Sequence, residues 1–245
     1  MKVAVLFTGF LRQKEQTKQN FETLLLAPFE ADVFVATWDI HDIARPLHNR
    51  TEELRIEAEV AGSDIRNFFA PRLRDYLVLS YDLFRQSTPT INEIDRPNDL
   101  LKTNQRAASH GTVWMNRLYS QCYMVRRGLQ MIREYEERTG IRYDAIARTR
   151  TDMLFMSPFP EPQLDKLMYP STYHDGKPVP QGCVADHFYW GGRDTMMKLE
   201  DLCFNIETMY RRQNVDTTYA EILFHSYALK QDIYLQPFDI AYRRA

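Results

Sequence analysis

The stretch VAVLFTG at residues 3–9, together with DVFVAT at residues 32–37, decides the fold class of this chain. Both are short continuous apolar runs with β-branched valines, which is typical of strands buried on both faces, and a Thr-Gly pair ends the first. The polar segment 13–27 between them has the pattern of a helix, and Pro28 stops it. This order predicts a strand–helix–strand unit with two parallel strands.

Ligands of parallel α/β sheets bind at the carboxyl ends of the strands. The first two predicted strands end at residues 8–12 and 37–39. The candidate binding residues at these ends are Thr8, Gly9, Phe10, Arg12, Thr37, Trp38 and Asp39. A plain turn at Thr8-Gly9 and core packing of Trp38 are the structural alternatives.

Composition and charge exclude several classes of protein. The 245 residues carry 31 Lys plus Arg against 33 Asp plus Glu, a net charge of −2, so no nucleic-acid partner is expected. No apolar run approaches the ~18 residues of a membrane span, and no signal peptide is recognisable, so we expect a cytoplasmic protein without a transmembrane segment. The three cysteines are too widely spaced to indicate a zinc site or a disulfide framework.

The rest of the chain continues the α/β pattern. Residues 40–75 are read as a helix and a loop, 77–79 as a strand and 86–106 as a mobile loop. Further predictions are a helix at 112–139, a strand at 143–147, loop with a short strand at 165–192, two helices, and a strand at 233–235. We therefore predict one α/β domain over residues 1–245, with a Rossmann-type mixed, mostly parallel sheet flanked by helices.

The segment Arg148-Thr149-Arg150-Thr151-Asp152 carries the strongest chemical signal, because it directly follows a predicted buried strand. If the chain stays extended, Arg148, Arg150 and Asp152 project on one face. Guanidinium groups bind phosphate oxygens, and a carboxylate can hold the Mg²⁺ or Mn²⁺ that bridges them. This combination suits a nucleotide diphosphate, and the alternative is a salt-bridge patch on the surface.

The order of these pieces resembles the GT-A type nucleotide-sugar glycosyltransferases, in particular small bacterial and viral ones with an R-x-R-x-D segment. The segments that carry the resemblance are 5–12, 32–38, the helix with Gln121, 143–152 and 186–191. It implies a GT-A-like fold with a nucleotide-binding half at about 1–155 and an acceptor-binding half at about 156–245.

The resemblance also implies roles for individual residues. The candidate residues at the first two strand ends, with Gln121, Arg148 and Arg150, would bind the nucleotide sugar. The family's D-x-D motif is here Arg150-Thr151-Asp152, so only the last Asp is retained. Asp152 would therefore bind Mn²⁺ or Mg²⁺ and act in catalysis, or Arg148 and Arg150 would replace the metal. His225 would be a further metal ligand, with a structural role on a helix as the alternative.

Asp186 and His187 are the candidates for chemistry on the acceptor. An attacking hydroxyl must lose its proton, and the Asp186 carboxylate could take it. His187, Tyr189 and Trp190 would bind the acceptor, since aromatic rings stack on the apolar faces of sugars. The alternative is that the aromatic residues belong to the core and that Asp186 caps a turn.

These observations predict an enzyme of glycan biosynthesis, a glycosyltransferase of the hexosyl or pentosyl class. It would move a sugar from a nucleotide-diphosphate donor to a hydroxyl of a glycan or glycoconjugate. Two alternatives stay open. One is a nucleotidyltransferase or another nucleotide-dependent α/β enzyme, and the other is a non-catalytic carbohydrate-binding α/β domain.

Overall fold

The computed structural model describes residues 1–12, 14–44, 54–60, 62–87, 105–173, 175–213 and 220–244. The strands are β1 (Val3–Gly9), β2 (Asp32–Trp38), β3 (Ile40–Ala44), β4 (Leu54–Glu59), β5 (Leu73–Leu79), β6 (Ala145–Thr149), β7 (Met153–Phe155), β8 (Lys166–Pro170), β9 (Phe188–Gly192), β10 (Tyr234–Phe238) and β11 (Tyr242–Arg244). The α-helices are α1 (Lys14–Phe21), α2 (Gly62–Phe69), α3 (Tyr81–Ser87), α4 (Gln105–Thr139), α5 (Arg193–Met197), α6 (Leu202–Gln213) and α7 (Ala220–Lys230).

A seven-stranded sheet with the order β10-β8-β9-β6-β1-β2-β5 forms the centre of the fold. Its strands are parallel at every junction except the two that β9 makes, so β9 alone runs against the others. The prediction of a mixed, mostly parallel α/β sheet flanked by helices is confirmed. Strands from both predicted halves of the chain lie in this one sheet, joined where β6 pairs with β9.

The parallel pairing of β1 with β2 confirms the strand–helix–strand prediction at the start of the chain. Every residue of β1 from Val3 to Thr8 is buried, as expected for a central strand that is covered on both faces. The intervening helix is α1, and it continues into a π-helical turn at Glu22–Leu26 before the chain enters β2.

Alternate residues of each strand point into two separate hydrophobic clusters. On one face, α4 packs against β1 and β2, and the helices after β9 complete the layer. Gly128 lets α4 approach closely, because a Cβ there would stand 2.5 Å from a methyl group of Leu6. The other face is filled by aromatic residues that include Phe7, Phe21 and Phe69.

Several local predictions were wrong. Residues 40–75 contain the antiparallel pair β3 and β4, then α2 and the beginning of β5, rather than a helix and a loop. Residues 165–192 supply two strands of the main sheet, β8 and β9. Short strands like these depend on pairing with distant segments, so their own sequence carries only a weak signal. Most of the predicted loop at 86–106 lies outside the described residues.

The helix predicted at 112–139 is confirmed, and α4 begins seven residues earlier, at Gln105. All three cysteines are free, as their spacing predicts. Among the residues that the structure describes, no helix has both the length and the apolar character needed to cross a membrane.

Candidate functional site at the carboxyl edge of the sheet

The carboxyl ends of β1, β2 and β6 meet at one edge of the sheet. The register pairs Gly9 with Thr37 and Phe7 with Thr149. Because β9 is antiparallel, its beginning rather than its end lies here, with Phe188 opposite Thr149. The segments that follow β1, β2 and β6 therefore converge with the segment that precedes β9, and it is this segment that carries Asp186 and His187.

Thr151, which sequence reasoning passed over, joins two of these segments. Its hydroxyl accepts a hydrogen bond from the Arg12 backbone N–H (2.9 Å) and lies 2.9 Å from the Arg12 carbonyl oxygen, to which it can donate. The Thr17 hydroxyl at the start of the chain donates to the Thr151 carbonyl (2.7 Å). These bonds hold the loop after β1 against the turn after β6.

Arg150 and Asp152 form a two-pronged ion pair in that turn. Arg150 Nε donates to Asp152 Oδ1 (2.9 Å) and Arg150 Nη2 donates to Asp152 Oδ2 (2.5 Å). Arg12 Nη1 lies 3.9 Å from the same Oδ2. Burial acts to raise the pKa of Asp152, but the charges of Arg150, Arg12 and Arg244 outweigh it and hold that pKa below its ordinary value.

Arg148 does not lie on one face with Arg150 and Asp152, because the chain turns after Thr149 instead of staying extended. Arg148 is 1% exposed, and its side chain lies in the interior of the protein. Its Nε donates to Thr8 Oγ1 (2.7 Å) and its Nη1 donates to the Asp186 carbonyl oxygen. Its guanidinium thus joins the end of β1 to the segment before β9.

Asp186 and His187 are both buried, at 8% and 4% exposed. Gln121 Nε2 donates to Asp186 Oδ2 (3.0 Å), so the long helix α4 contributes a side chain to the site. His187 Nδ1 lies 3.6 Å from Asp186 Oδ1. Burial alone would raise the pKa of Asp186, but the charge that His187 carries when it is protonated, the charges of Arg148 and Arg150, and the Gln121 hydrogen bond lower it.

The C-terminal strand β11 adds two side chains that sequence reasoning missed. Its antiparallel pairing with β7 sets Arg244 opposite Met153, the residue after Asp152. Arg244 Nη2 lies 2.9 Å from His187 Nε2, and the Tyr242 hydroxyl lies 3.4 Å from His187 Nδ1. Two strands of three residues each carry almost no sequence signal, so only the tertiary structure brings these groups to the site.

Glu221, in the first turn of α7, is a second group that sequence reasoning missed. Its backbone carbonyl accepts a hydrogen bond from the Val184 N–H (3.0 Å), two residues before Asp186. Burial, and next the negative charge of Asp186, raise the pKa of Glu221 to about 7, while Arg244 acts in the opposite direction. Asp186 and Glu221 are thus carboxyl groups with pKa values displaced in opposite directions.

The other predicted residues at the strand ends have structural contacts. Gly9 turns the chain with a φ of +98°, which fits the plain-turn alternative. Thr37 is fully buried, and Trp38 packs against Tyr81 and Phe84. Asp39 Oδ1 accepts a hydrogen bond from the Tyr81 N–H (3.0 Å) at the beginning of α3.

An aromatic cavity of about 400 Å³ lies beside the end of β2. Phe10 packs nearby, with its ring 5.7 Å from that of Tyr81 and 5.3 Å from the Arg12 guanidinium. The residues that line the cavity are Trp38, Leu79, Ser80, Leu83, Phe84, Gln86 and Tyr123.

Tyr189 and Trp190 lie on β9 with no exposed surface. The Trp190 ring packs edge-on against Phe29, and the Tyr189 ring packs against Phe224. These are the positions of core residues, so stacking of either ring on an acceptor sugar would require the core to open.

The donor set around Asp152 does not fit a divalent cation in this arrangement. Both carboxylate oxygens accept hydrogen bonds from Arg150, and Arg12 and Arg244 add further positive charge. His225 is partly buried on α7, where burial lowers its pKa. Within the part of the chain that the structure describes, no group of three or more His, Cys, Asp or Glu side chains could hold a metal ion.

Compared with known protein families and with curated proteins, the sequence matches no family model and no curated protein significantly.

Proposed function

We propose that this protein is a glycosyltransferase that moves a sugar from a nucleotide-diphosphate sugar to a hydroxyl group of a glycan or glycoconjugate. One observation carries the proposal. Arg150 pairs with both oxygens of Asp152, Arg12 lies 3.9 Å from one of them, and the charge of Arg244 also acts on this carboxylate. This cationic cluster lies at the carboxyl edge of a mostly parallel sheet, where Arg244 also contacts His187 of the Asp186–His187 pair. The resemblance to GT-A type enzymes supports the same assignment.

The diphosphate of the donor matches the cationic part of this edge. A guanidinium group can donate two parallel hydrogen bonds to the oxygens of one phosphate. Its positive charge also stabilises the negative charge that develops on a diphosphate leaving group. The side chains of Arg12 and Arg150 keep 29% and 18% of their surface exposed, so an anion can reach them. The aromatic cavity beside Trp38 has the character expected of a pocket for the nucleobase.

Arg148 has a different part in this proposal from the one that its sequence position indicates. Its guanidinium bonds to Thr8 and to the Asp186 backbone, so it shapes the site rather than holding phosphate. Because Arg150 donates hydrogen bonds to both oxygens of Asp152, the negative charge of the leaving diphosphate is neutralised in this proposal by the arginines and not by Mn²⁺ or Mg²⁺.

On the acceptor side, the attacking hydroxyl gives its proton to the Asp186–His187 pair. The acceptor oxygen becomes a better nucleophile as it loses this proton to a base within hydrogen-bond reach. The three free thiols favour a reducing compartment, and we propose the cytoplasm as the place of the reaction.

Nucleotide binding tests the proposal directly. We expect UDP, GDP, dTDP or CMP to raise the melting temperature of the protein, with and without Mn²⁺. The Arg12→Gln variant keeps the backbone bonds of Arg12 to Thr151 but should lose about 10-fold or more in affinity for the nucleotide. Arg142→Gln is the matched control, since Arg142 is exposed and lies just before β6, at the opposite edge. A protein that none of these nucleotides stabilises would overturn the proposal.

Product analysis separates the proposed transfer from the nucleotidyltransferase alternative. A glycosyltransferase releases the nucleoside diphosphate and a new glycoside, whereas a nucleotidyltransferase makes or breaks a bond to the nucleotide's own phosphate. A carbohydrate-binding domain would need exposed aromatic rings, and the rings of Tyr189 and Trp190 are both buried.

A further inference from the structure

The surroundings of His187 determine which of its ring nitrogens carries the proton. A guanidinium group can only donate hydrogen bonds. Arg244 Nη2 lies 2.9 Å from His187 Nε2, so this nitrogen must be the acceptor and its lone pair points at Arg244. The ring proton of the neutral imidazole therefore resides on Nδ1.

That proton faces Asp186. His187 Nδ1 lies 3.6 Å from Asp186 Oδ1 and 3.4 Å from the Tyr242 hydroxyl. A carboxylate that faces the protonated nitrogen orients the ring and stabilises the imidazolium that forms when the other nitrogen takes a proton. Asp186 and His187 thus have the relation of an orienting carboxylate and a base.

Asp186 itself is poorly placed to receive a proton from an acceptor. Its Oδ2 accepts the Gln121 hydrogen bond, its Oδ1 faces His187, and its backbone carbonyl is held by Arg148. His187 Nε2, by contrast, lies against the half-buried side chain of Arg244.

We propose that Nε2 of His187 is the catalytic base of the transfer, that Asp186 is its positioning residue, and that Arg244 covers Nε2 until a diphosphate draws the guanidinium away. This inference rests on the proposed glycosyltransferase function and names the base of that reaction. Arg244 is suited to both positions, because its strand pairs it with Met153, the residue after Asp152, and its guanidinium lies against His187.

The proposed reaction moves one proton to the protein and one sugar to the acceptor. The acceptor hydroxyl gives its proton to His187 Nε2 while its oxygen forms the new bond to the anomeric carbon. The bond from that carbon to the diphosphate oxygen breaks, and its electron pair leaves with the diphosphate. The positive charge gained by His187 is stabilised by Asp186, and the negative charge of the leaving group is met by Arg12, Arg150 and Arg244.

The resting state can be tested without any substrate. Long-range proton–nitrogen NMR spectra of protein with ¹⁵N-labelled histidine distinguish the two neutral tautomers and the imidazolium. At pH 7.5 we expect one histidine in the Nδ1-protonated form, with a signal that changes in Arg244→Met and stays unchanged in Arg243→Met. Arg243 is the matched control because it is exposed on the same strand. An Nε2-protonated ring, an imidazolium, or a signal insensitive to Arg244→Met would overturn the inference.

Inorganic pyrophosphate tests the displacement of Arg244. Added to the wild-type protein, it should shift the same Nε2 signal, and it should have no such effect in Arg244→Met. Arg244→Lys should restore part of the pyrophosphate response, since an ammonium group also binds phosphate. Binding of pyrophosphate with no change at His187 would show that Arg244 does not leave the ring.

Kinetics with whichever nucleotide sugar the protein turns over test the base itself. The His187→Asn variant keeps a donor toward Asp186 but has no base, so kcat should fall about 10²- to 10⁴-fold with little change in KM. In the wild-type enzyme kcat should increase with pH as His187 loses its proton, and this increase should be absent in the variant. An unchanged profile would overturn the assignment. Should no nucleotide sugar react, the proposed function fails, while the NMR result still decides the resting state of His187.

Discussion

Replacing Glu221 by Gln should stabilise the protein above neutral pH and leave its stability unchanged in acid. The pKa of Glu221 rises from 4.5 to about 7 in the folded protein, first because of burial and then because of the charge of Asp186. At about 1.4 kcal/mol per pH unit, this displacement corresponds to roughly 3 kcal/mol of unfolding free energy.

The direction of the change in stability depends on whether the folded or the unfolded protein binds the Glu221 proton more tightly. A carboxyl group with a raised pKa in the folded state favours folding while it is protonated. Its contribution is complete below about pH 4.5 and is lost as the pH rises through about 7. Gln cannot ionise, so Glu221→Gln avoids this loss. The pKa of about 7 already includes the opposing charge of Arg244, so we expect a gain of about 3 kcal/mol at pH 8.

The assay is urea unfolding of both proteins between pH 4 and pH 8, with the difference in unfolding free energy plotted against pH. The other titratable groups that interact with Glu221, namely Tyr173, Cys183 and Tyr242, remain in both proteins. Glu137→Gln, an exposed change on α4, controls for the general loss of one negative charge. A difference that does not vary with pH, or that is larger at pH 4 than at pH 8, would refute the reasoning.

Three further substitutions test the framework of the site. Gly191→Ala places a Cβ against the backbone carbonyl of Lys166 on the neighbouring strand and should cost about 3 kcal/mol or more of unfolding free energy. Gly128→Ala should cost less, because the nearest atoms to its new Cβ belong to the flexible side chain of Leu6. Equal losses of unfolding free energy in urea would contradict this expectation. Asp152→Asn removes the charge that pairs with Arg150 and should cost about 1–3 kcal/mol at pH 7. Because the pKa of Asp152 is lowered in the folded protein, the difference in unfolding free energy between wild type and variant should shrink as the pH falls below about 4. A difference that stays constant in acid would count against the ion pair.

The parts of the fold that local patterns predict well are the ones with strong periodicity or continuous apolar runs. The first strand, the second strand and the helix α4 have such patterns, and each is confirmed. The antiparallel pair β3–β4 and the three-residue strands β7 and β11 are stabilised by partners far away or by a few backbone hydrogen bonds. Their sequences alone did not predict them.

For the site, the sequence by itself determined that the segments after the first buried strands meet. Arg150 and Asp152 were predicted from their place after a buried strand, and parallel strands bring their carboxyl ends to a common edge. Asp186 and His187 were proposed for their chemistry, and the antiparallel pairing of β9 with β6 brings them to the same edge. Only the tertiary structure decided what each of these groups contacts. The turn after β6 sends Arg148 beneath the site and leaves Arg150 holding Asp152.

The same distinction explains Arg244 and Glu221. Neither lies near the strand ends in sequence, and each reaches the site through a long-range contact, the pairing of β11 with β7 and the bond of Val184 to the first turn of α7. A chemical pattern in sequence records neighbours along the chain. The protonation of His187 and the raised pKa of Glu221 depend instead on burial and on charges from distant segments, and these exist only once the chain has folded.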